Sequence, residues 1–230
     1  MKRALTLLLL LLLTAAVSGV DVFSIPRKKP SAPVSYEVGK TGSGGGGSAF
    51  YGIPVDKRQR VLFLIDLSGS MTARTPEGIS RIDAMKKELV SMLSPPRNSE
   101  EKSGNGSFFL VKYESKVSCF PPEKRFYPFR SILHIETALR HIRKLEASGG
   151  TAMGAAWNEV FQLAETNEID TIFFLTDGEP TDCSEQDVLR MVNTWNSRHH
   201  VTIHCIAIGR ESVLLRELAE ANGGIYRVRM

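Results

Sequence analysis

The chain has 230 residues, of which 42% are hydrophobic, and its formal net charge at pH 7 is +4. Nine basic and three acidic residues precede Val61, which leaves 20 of the 29 basic and 22 of the 25 acidic residues in the rest of the chain. The part after residue 60 is therefore slightly acidic, so the case for nucleic-acid binding by this part is poor and we expect no nucleic-acid partner.

Residues 1–19 have the layout of a secretory signal peptide. Two basic residues, Lys2 and Arg3, precede a leucine-rich run that reaches Val17, and two small residues follow it. The run is short for a membrane span, which needs about 20 residues, although an uncleaved anchor is the alternative. We predict an exported protein, either secreted or held in the periplasm or cell envelope, which meets the membrane only if this segment is retained.

Residues 20–49 have the composition of a linker. Three prolines and the basic cluster Arg27-Lys28-Lys29 are followed by a run of glycine and serine. Such a sequence has too little apolar surface to offset the entropy cost of ordering, so we predict a disordered tether. The remaining stretch, residues 50–230, is about 180 residues long and can bury a complete hydrophobic core, so we predict one domain there.

The predicted domain begins with aromatic residues and a buried strand. Phe50 and Tyr51 end the linker and are expected to pack on the edge of the domain. Residues 61–65 are consecutive large apolar residues, which indicates a strand covered on both faces, as in a parallel sheet.

Helices and strands alternate along the rest of the chain. Helices are predicted at residues 81–93, 129–145, 155–164, 185–198 and 212–221. Strands are predicted at residues 107–113, 116–119, 170–176, 201–208 and 224–228, and residues 121–128 are expected to form a loop. The residues of the 129–145 helix that are expected to face the core are Ile132, Leu133, Ala138, Leu139, Ile142 and Leu145.

This order of elements predicts an α/β fold. It is a doubly wound, Rossmann-like architecture in which helices cover both faces of a mostly parallel central sheet. The strand at 116–119 is expected to form one antiparallel edge strand, because only two residues separate it from the strand before it.

Polar side chains follow two of the predicted strands. Asp66, Ser68 and Ser70 are separated by single residues, so their side chains project to the same side of an extended loop. Asp177 follows the strand at 170–176, and Thr151 lies in a glycine-rich loop before a helix. The carboxyl ends of parallel strands share one edge, where open α/β sheets bind ligands.

This set of side chains offers oxygen atoms and no nitrogen or sulfur. Such a set suits a hard cation such as Mg2+ or Mn2+ rather than zinc. The alternative is ordinary loop chemistry, in which each serine hydroxyl bonds to its own backbone and Thr151 caps a helix.

The motif resembles the von Willebrand factor type A (VWA) domain with an intact metal-ion-dependent adhesion site (MIDAS). The family's Asp-x-Ser-x-Ser motif falls on Asp66, Ser68 and Ser70, its loop threonine on Thr151, and its later aspartate on Asp177. The resemblance covers residues 50–230. It implies that these side chains hold Mg2+, with Mn2+ or Ca2+ as alternatives, and that an acidic residue of a partner protein binds to the ion.

The resemblance also implies a setting for the protein. The sequence FYGIPVDKRQRVLFLIDLSGSM, which follows a glycine-rich tether, is similar to exported bacterial proteins of this class. We therefore expect an exported, bacterial, monomeric interaction module without enzymatic activity.

Other functional classes compete with a binding module. A metal-assisted hydrolase or phosphatase would use Asp66 as its nucleophile, but sheet enzymes of the acid-phosphatase type need a second carboxylate where this chain has Ser68. A serine hydrolase is disfavoured because neither Ser68 nor Ser70 lies in a G-x-S-x-G turn. Nucleotide binding at residues 149–154 is disfavoured because that loop lacks the lysine of a phosphate-binding loop. The metal-assisted hydrolase remains the alternative.

The three cysteines have no metal-binding spacing. Cys205 falls in a predicted apolar strand and is expected in the core, whereas Cys119 ends a strand. Cys183 follows Asp177 by six residues and is the candidate for a reactive or disulfide-forming thiol near the proposed site. An exported compartment permits a disulfide, but the sequence does not choose the pair.

Overall fold

The computed structural model describes residues 48–94 and 104–230. The predicted leader at residues 1–19 and almost all of the predicted linker at residues 20–49 lie outside these ranges. No helix within the described ranges combines the length and the hydrophobicity that a membrane span requires.

In the ranges that the structure describes, a seven-stranded sheet forms the centre of the domain, and a short antiparallel hairpin precedes it. The hairpin consists of β1 (Ala49–Phe50) and β2 (Ile53–Pro54). The sheet strands are β3 (Arg60–Asp66), β4 (Ser107–Tyr113), β5 (Val117–Phe120), β6 (Tyr127–Pro128), β7 (Thr171–Thr176), β8 (Thr202–Ile208) and β9 (Tyr226–Arg229).

The order of the strands is β5-β4-β3-β7-β8-β9, and β6 pairs with the start of β4. All neighbours from β4 to β9 along this order run parallel, whereas β5 and β6 run antiparallel to β4. The predicted mostly parallel sheet with an antiparallel edge is therefore confirmed.

Within the described residues, five α-helices cover the two faces of this sheet. They are α1 (Arg81–Leu93), α2 (Ile132–Arg143), α3 (Met153–Thr166), α4 (Glu185–His199) and α5 (Val213–Ala221). The buried residues of α1 and α2 share one core with the β1–β2 hairpin, and those of α3, α4 and α5 share the other. The strand side chains alternate between the two cores, as the pleat of a strand requires. The doubly wound prediction is confirmed.

Aromatic side chains anchor both cores. Phe50 of the hairpin is fully buried, and its ring centroid lies 5.3 Å from that of Phe63 and 5.8 Å from that of Phe173. Phe50 therefore packs on the domain as predicted, but against the central strands β3 and β7 rather than at an edge. On the opposite face Trp157 of α3 meets Phe174 of β7 edge to face at 5.3 Å.

The structure corrects two predictions between β5 and α2. Tyr127 and Pro128, expected in a loop, form β6, since they can pair with the otherwise free start of β4 at this edge. The helix expected from residue 129 begins at Ile132, because the Ser131 hydroxyl accepts a hydrogen bond from the backbone of the first turn.

The apolar face of α2 is also narrower than expected. The side chains of Ile132 and Leu133 are 69% and 67% exposed rather than buried. The buried residues of this helix are Ile135, Ala138, Leu139 and Ile142. Their spacing is that of a single helical stripe. Leu133 lies outside this stripe, whereas Ile132 has the same spacing but is exposed at the start of the helix.

His204 of β8 is a partly buried, neutral side chain. Its Nδ1 accepts a hydrogen bond from the backbone N–H of Ile225 at 3.0 Å, and its ring lies 4.8 Å from that of Phe173. Burial lowers the pKa of His204 to about 4. Since the unfolded chain binds a proton near the usual pKa of about 6.5, acid favours unfolding.

We predict that this histidine makes the free energy of unfolding fall as the pH drops from 6.5 towards 4. Its contribution is about 2 kcal/mol over this range. In His204→Asn the amide oxygen can still accept the Ile225 hydrogen bond but cannot titrate, so the fall should be smaller by this amount. Denaturant unfolding at several pH values measures it. His200→Asn, at an exposed left-handed position, is the control and should keep the wild-type slope. Equal slopes in all three proteins would contradict the prediction.

Candidate metal centre

The first loop of the candidate site follows β3 directly. Asp66 ends this strand and is fully buried, and its Oδ1 accepts a hydrogen bond from the Ser68 backbone N–H at 2.7 Å. Its Oδ2 accepts a hydrogen bond from the Thr176 hydroxyl at the end of β7. A short 3-10 helix, Gly69–Thr72, then turns the chain away. The carboxylate of Asp66 is thus fixed between the ends of two neighbouring parallel strands.

The second loop, which carries Thr151, is held against the first by backbone hydrogen bonds. The N–H of Gly69 donates to the carbonyl of Gly149 at 3.0 Å, and the N–H of Ser148 donates to the carbonyl of Leu67 at 2.8 Å. A Cβ on Gly69 would lie 3.3 Å from the Gly149 carbonyl oxygen, so the close approach favours glycine at position 69.

The third loop, after β7, completes the cluster through Asp177. The hydroxyl of Ser70 donates to Asp177 Oδ1 at 2.6 Å and lies 3.0 Å from the hydroxyl of Ser68. A Cβ built on Gly178 would lie 3.5 Å from Thr151 Oγ1 and 3.8 Å from Ser70 Oγ. The structure therefore brings all the predicted side chains together at the carboxyl edge of the sheet. They are Asp66, Ser68, Ser70, Thr151 and Asp177.

These side chains do not follow the alternative of ordinary loop chemistry. The hydroxyls of Ser68 and Ser70 bond to each other, and that of Ser70 also donates to the carboxylate of Asp177 on another loop. Helix α3 starts after Ala152, which makes no side-chain cap, so Thr151 is not its N-cap residue. The two serine hydroxyls therefore bond to side chains of the cluster instead of to their own backbones.

Sequence reasoning missed two charged residues of this edge. Arg81, the first residue of α1, pairs with Asp177, and its Nη1 lies 2.6 Å from Oδ2. Asp182 accepts hydrogen bonds from the N–H groups of Gly154 and Ala155 at 3.0 and 2.8 Å, and so caps α3 from a different loop. Neither residue belongs to a local motif, because each acts on a partner far along the chain.

The two buried carboxylates of the centre, Asp66 and Asp177, have different electrostatic surroundings. Burial raises the pKa of Asp66 and the negative charge of Asp177 adds to this, although hydrogen bonds from Thr176 and Ser68 act in the opposite direction. Among the described residues no cationic side chain pairs with Asp66, whereas Asp177 has Arg81. Asp66 is therefore the carboxylate that lacks a counter-charge.

The donor set fits a hard divalent cation. It consists of two carboxylates and three hydroxyls, the oxygen ligands that Mg2+, Mn2+ and Ca2+ prefer. Within residues 48–94 and 104–230, no group of three or more His, Cys, Asp or Glu side chains has the geometry of a metal site. A site at this edge would depend on the hydroxyl oxygens.

The cysteines give no support to a reactive thiol. All three are free, and Cys205 is buried in the core as expected. Cys183 lies beside the start of α3, where burial and the charge of Asp182 raise the pKa of its thiol to about 11. This thiol is protonated at neutral pH, which makes it a poor nucleophile.

Comparison with known proteins agrees with this fold. The sequence profile of the von Willebrand factor type A domain matches residues 59–228. A curated relative, Integrator complex subunit 6-like of Mus musculus, is 29% identical over 109 residues, which are 47% of this chain and 12% of that protein.

Two solved structures illustrate the likeness in fold. The von Willebrand factor type A structure from Catenulispora acidiphila superposes with a TM-score of 0.60 at 21% identity, over 77% of this chain and 40% of that one. A D319A mutant of the PilB minor pilin from Streptococcus sanguinis gives 0.53 at 15% identity, over 78% and 59%. The matched segment thus spans only part of these relatives. Because the profile covers most of the sequence and the fold agrees with it, this chain belongs to the von Willebrand factor type A domain family.

Proposed function

We propose that this protein is an exported, metal-dependent protein-binding module. VWA domains are generally protein-interaction modules. In our proposal Asp66, Ser68, Ser70, Thr151 and Asp177 hold Mg2+, and an acidic residue of a partner protein binds to the ion. The observation that carries the proposal is the buried Asp66 carboxylate, unpaired by any described cation, beside three hydroxyls and a second carboxylate from three loops.

The charge of the centre supports an anionic ligand. One of its two carboxylates, Asp177, is already neutralised by Arg81 at 2.6 Å. A divalent ion held here would keep an excess of positive charge and would attract a carboxylate from outside. Ser70 is exposed, so the cluster is open to a partner on this side.

The geometry gives less support to the hydrolase alternative. A nucleophilic Asp66 would need access to substrate, but this carboxylate is 0% exposed and both of its oxygens accept hydrogen bonds. Ser68 also stands where the second carboxylate of such an enzyme would be required. The arrangement suits the holding of an ion better than attack on a substrate.

The proposal of export rests on the leader-like segment at residues 1–19 and its tether. A module on a tether of about 30 residues can reach a partner away from its point of attachment or release. The likeness in fold to a minor pilin is consistent with a bacterial surface setting, and we propose that the domain acts there as a monomer.

Thermal melts of the full chain test the metal site. After treatment with EDTA, the protein is titrated with Mg2+, Mn2+ or Ca2+. An ion that binds only the folded state at 100 times its Kd stabilises it by about 2.7 kcal/mol. For a domain of this size that corresponds to a rise of roughly 5 to 10 °C in melting temperature. Sodium chloride of equal ionic strength is the control. An unchanged melting temperature with every ion at millimolar concentration would refute the proposal.

A further inference from the structure

An open cleft of about 390 Å3 lies next to the candidate metal centre. It is formed by the loop before α1, the start of α1, the end of β8 and the last residue of the sequence. Its lining includes Arg74, Pro76, Arg81, Ile208, Gly209 and Met230. Arg81 belongs to both the cleft and the candidate metal centre, because one edge of its guanidinium binds Asp177.

The charged side chains that line the cleft are two arginines, Arg74 and Arg81, the second of which is paired with Asp177. The lining contains no Asp or Glu side chain among the described residues. Arg74 is exposed, and the structure shows one of its donors bonded to the carbonyl of Gly78. A guanidinium has five N–H donors, so most of those of Arg74 are left for a ligand.

Arg81 is held in place across the backbone of Gly209. A Cβ at this glycine would overlap the guanidinium, and the φ of Gly209 is +80°. The Nη1 atom faces the carboxylate of Asp177, while the remaining edge faces Gly209 and the cleft. Its side chain is 20% exposed and forms part of the cleft lining.

We infer that this cleft is a second anionic subsite, which binds a second carboxylate of the partner segment whose first carboxylate meets the metal ion. The inference rests on the proposed function and specifies its partner as a segment with two acidic residues. The planar fork of arginine matches a carboxylate with paired hydrogen bonds. The apolar atoms of Pro76, Ile208 and Met230 suit the methylene groups of glutamate, and the Met230 side chain is 63% exposed.

Labelled peptides in a glycine-serine host provide the probe. Each carries one Asp, followed two, three or four residues later by Glu, and a matched set has Gln in place of Glu. Fluorescence anisotropy with Mg2+ and protein concentrations up to the millimolar range gives the Kd values. The Glu peptide of the best spacing is expected to bind roughly five- to tenfold tighter than its Gln counterpart, as one charge-assisted contact would give.

Two arginine variants assign this difference to the cleft. Arg74→Gln should remove most of the advantage of the Glu peptide and leave the Kd of the Gln peptide within about twofold, because Arg74 does not touch the metal centre. Arg210→Gln removes the same charge from the same edge, where Arg210 pairs with Glu179 at 3.0 Å. This control should keep the ratio between the two peptides.

The outcomes separate this inference from the proposed function. Equal binding of Glu and Gln peptides, or an advantage that Arg74→Gln leaves intact, would overturn the second subsite while the metal site stands. A melting temperature that responds to Mg2+ in a protein that binds neither peptide would overturn the acidic ligand and the subsite together. A protein without any Mg2+ response would refute the proposed function, and the two-acid partner with it.

Discussion

Replacing Asp66 by Asn is expected to raise the melting temperature of the metal-free protein and to abolish its response to Mg2+. The two effects have opposite signs because one carboxylate serves both states. In the metal-free protein it is a fully buried charge that pairs with no cation of the described part of the chain, and burial raises its pKa. In the metal-bound protein it would be the main negative charge facing the ion.

The higher melting temperature of Asp66→Asn without metal follows from the removal of a buried charge. An asparagine keeps the shape and can accept the hydrogen bond of the Ser68 N–H, while the Thr176 hydroxyl can turn to accept from the new amide. Neutralising an uncompensated buried carboxylate should stabilise the fold by about 1 to 2 kcal/mol. In EDTA this is a rise of roughly 2 to 8 °C in melting temperature.

In Asp66→Asn, millimolar Mg2+ should no longer raise the melting temperature at all. Asp170→Asn is the matched control, because Asp170 lies at the opposite end of the sheet, where its carboxylate accepts the Arg60 N–H at 2.7 Å. That variant should keep the Mg2+ response of the wild type. If Asp66→Asn lowered the melting temperature in EDTA, the carboxylate would be stabilising without metal. If the variant still responded to Mg2+, Asp66 would not be a ligand.

The parts of the site that could be predicted are those set by strand geometry. A buried run that ends at Asp66, with Ser68 and Ser70 on the same side of the loop, places three oxygens at the sheet edge from local sequence alone. Asp177 follows by the same rule, because parallel strands end at one edge. The order of helices and strands was sufficient to bring these residues together.

The parts that could not be predicted depend on contacts between distant segments. Arg81 reaches Asp177 from the first turn of a helix, and Asp182 caps a helix that begins 29 residues earlier in the chain at Met153. Neither hydrophobic periodicity nor a sequence motif indicates such pairs. The late start of α2 has a different cause, since the Ser131 cap competed with an apolar pattern that suggested a longer helix.

Trp157→Ala is expected to be the most destabilising single change on the α3 face of the sheet. The indole is fully buried and contacts Phe174 edge to face, with centroids 5.3 Å apart. Removing it would leave a large cavity, and such changes cost about 3 to 5 kcal/mol. Chemical denaturation in EDTA should show this as a lower midpoint with an unchanged slope.

Trp157→Phe should cost far less, for a reason that the structure makes specific. The indole Nε1 is buried and has no hydrogen-bond partner among the described residues. Phenylalanine removes this unsatisfied donor, whose burial costs about 1 to 3 kcal/mol, and thereby offsets part of the lost volume. We expect a net loss below about 1.5 kcal/mol in the free energy of unfolding.

The half-buried Trp195, stacked on Phe161 at 4.9 Å, is the control, and its replacement by Ala should lower the free energy of unfolding less than Trp157→Ala does. If Phe at position 157 were as destabilising as Ala, the indole Nε1 would have a hydrogen-bond partner such as a buried water. The packing of this core would then depend on that partner.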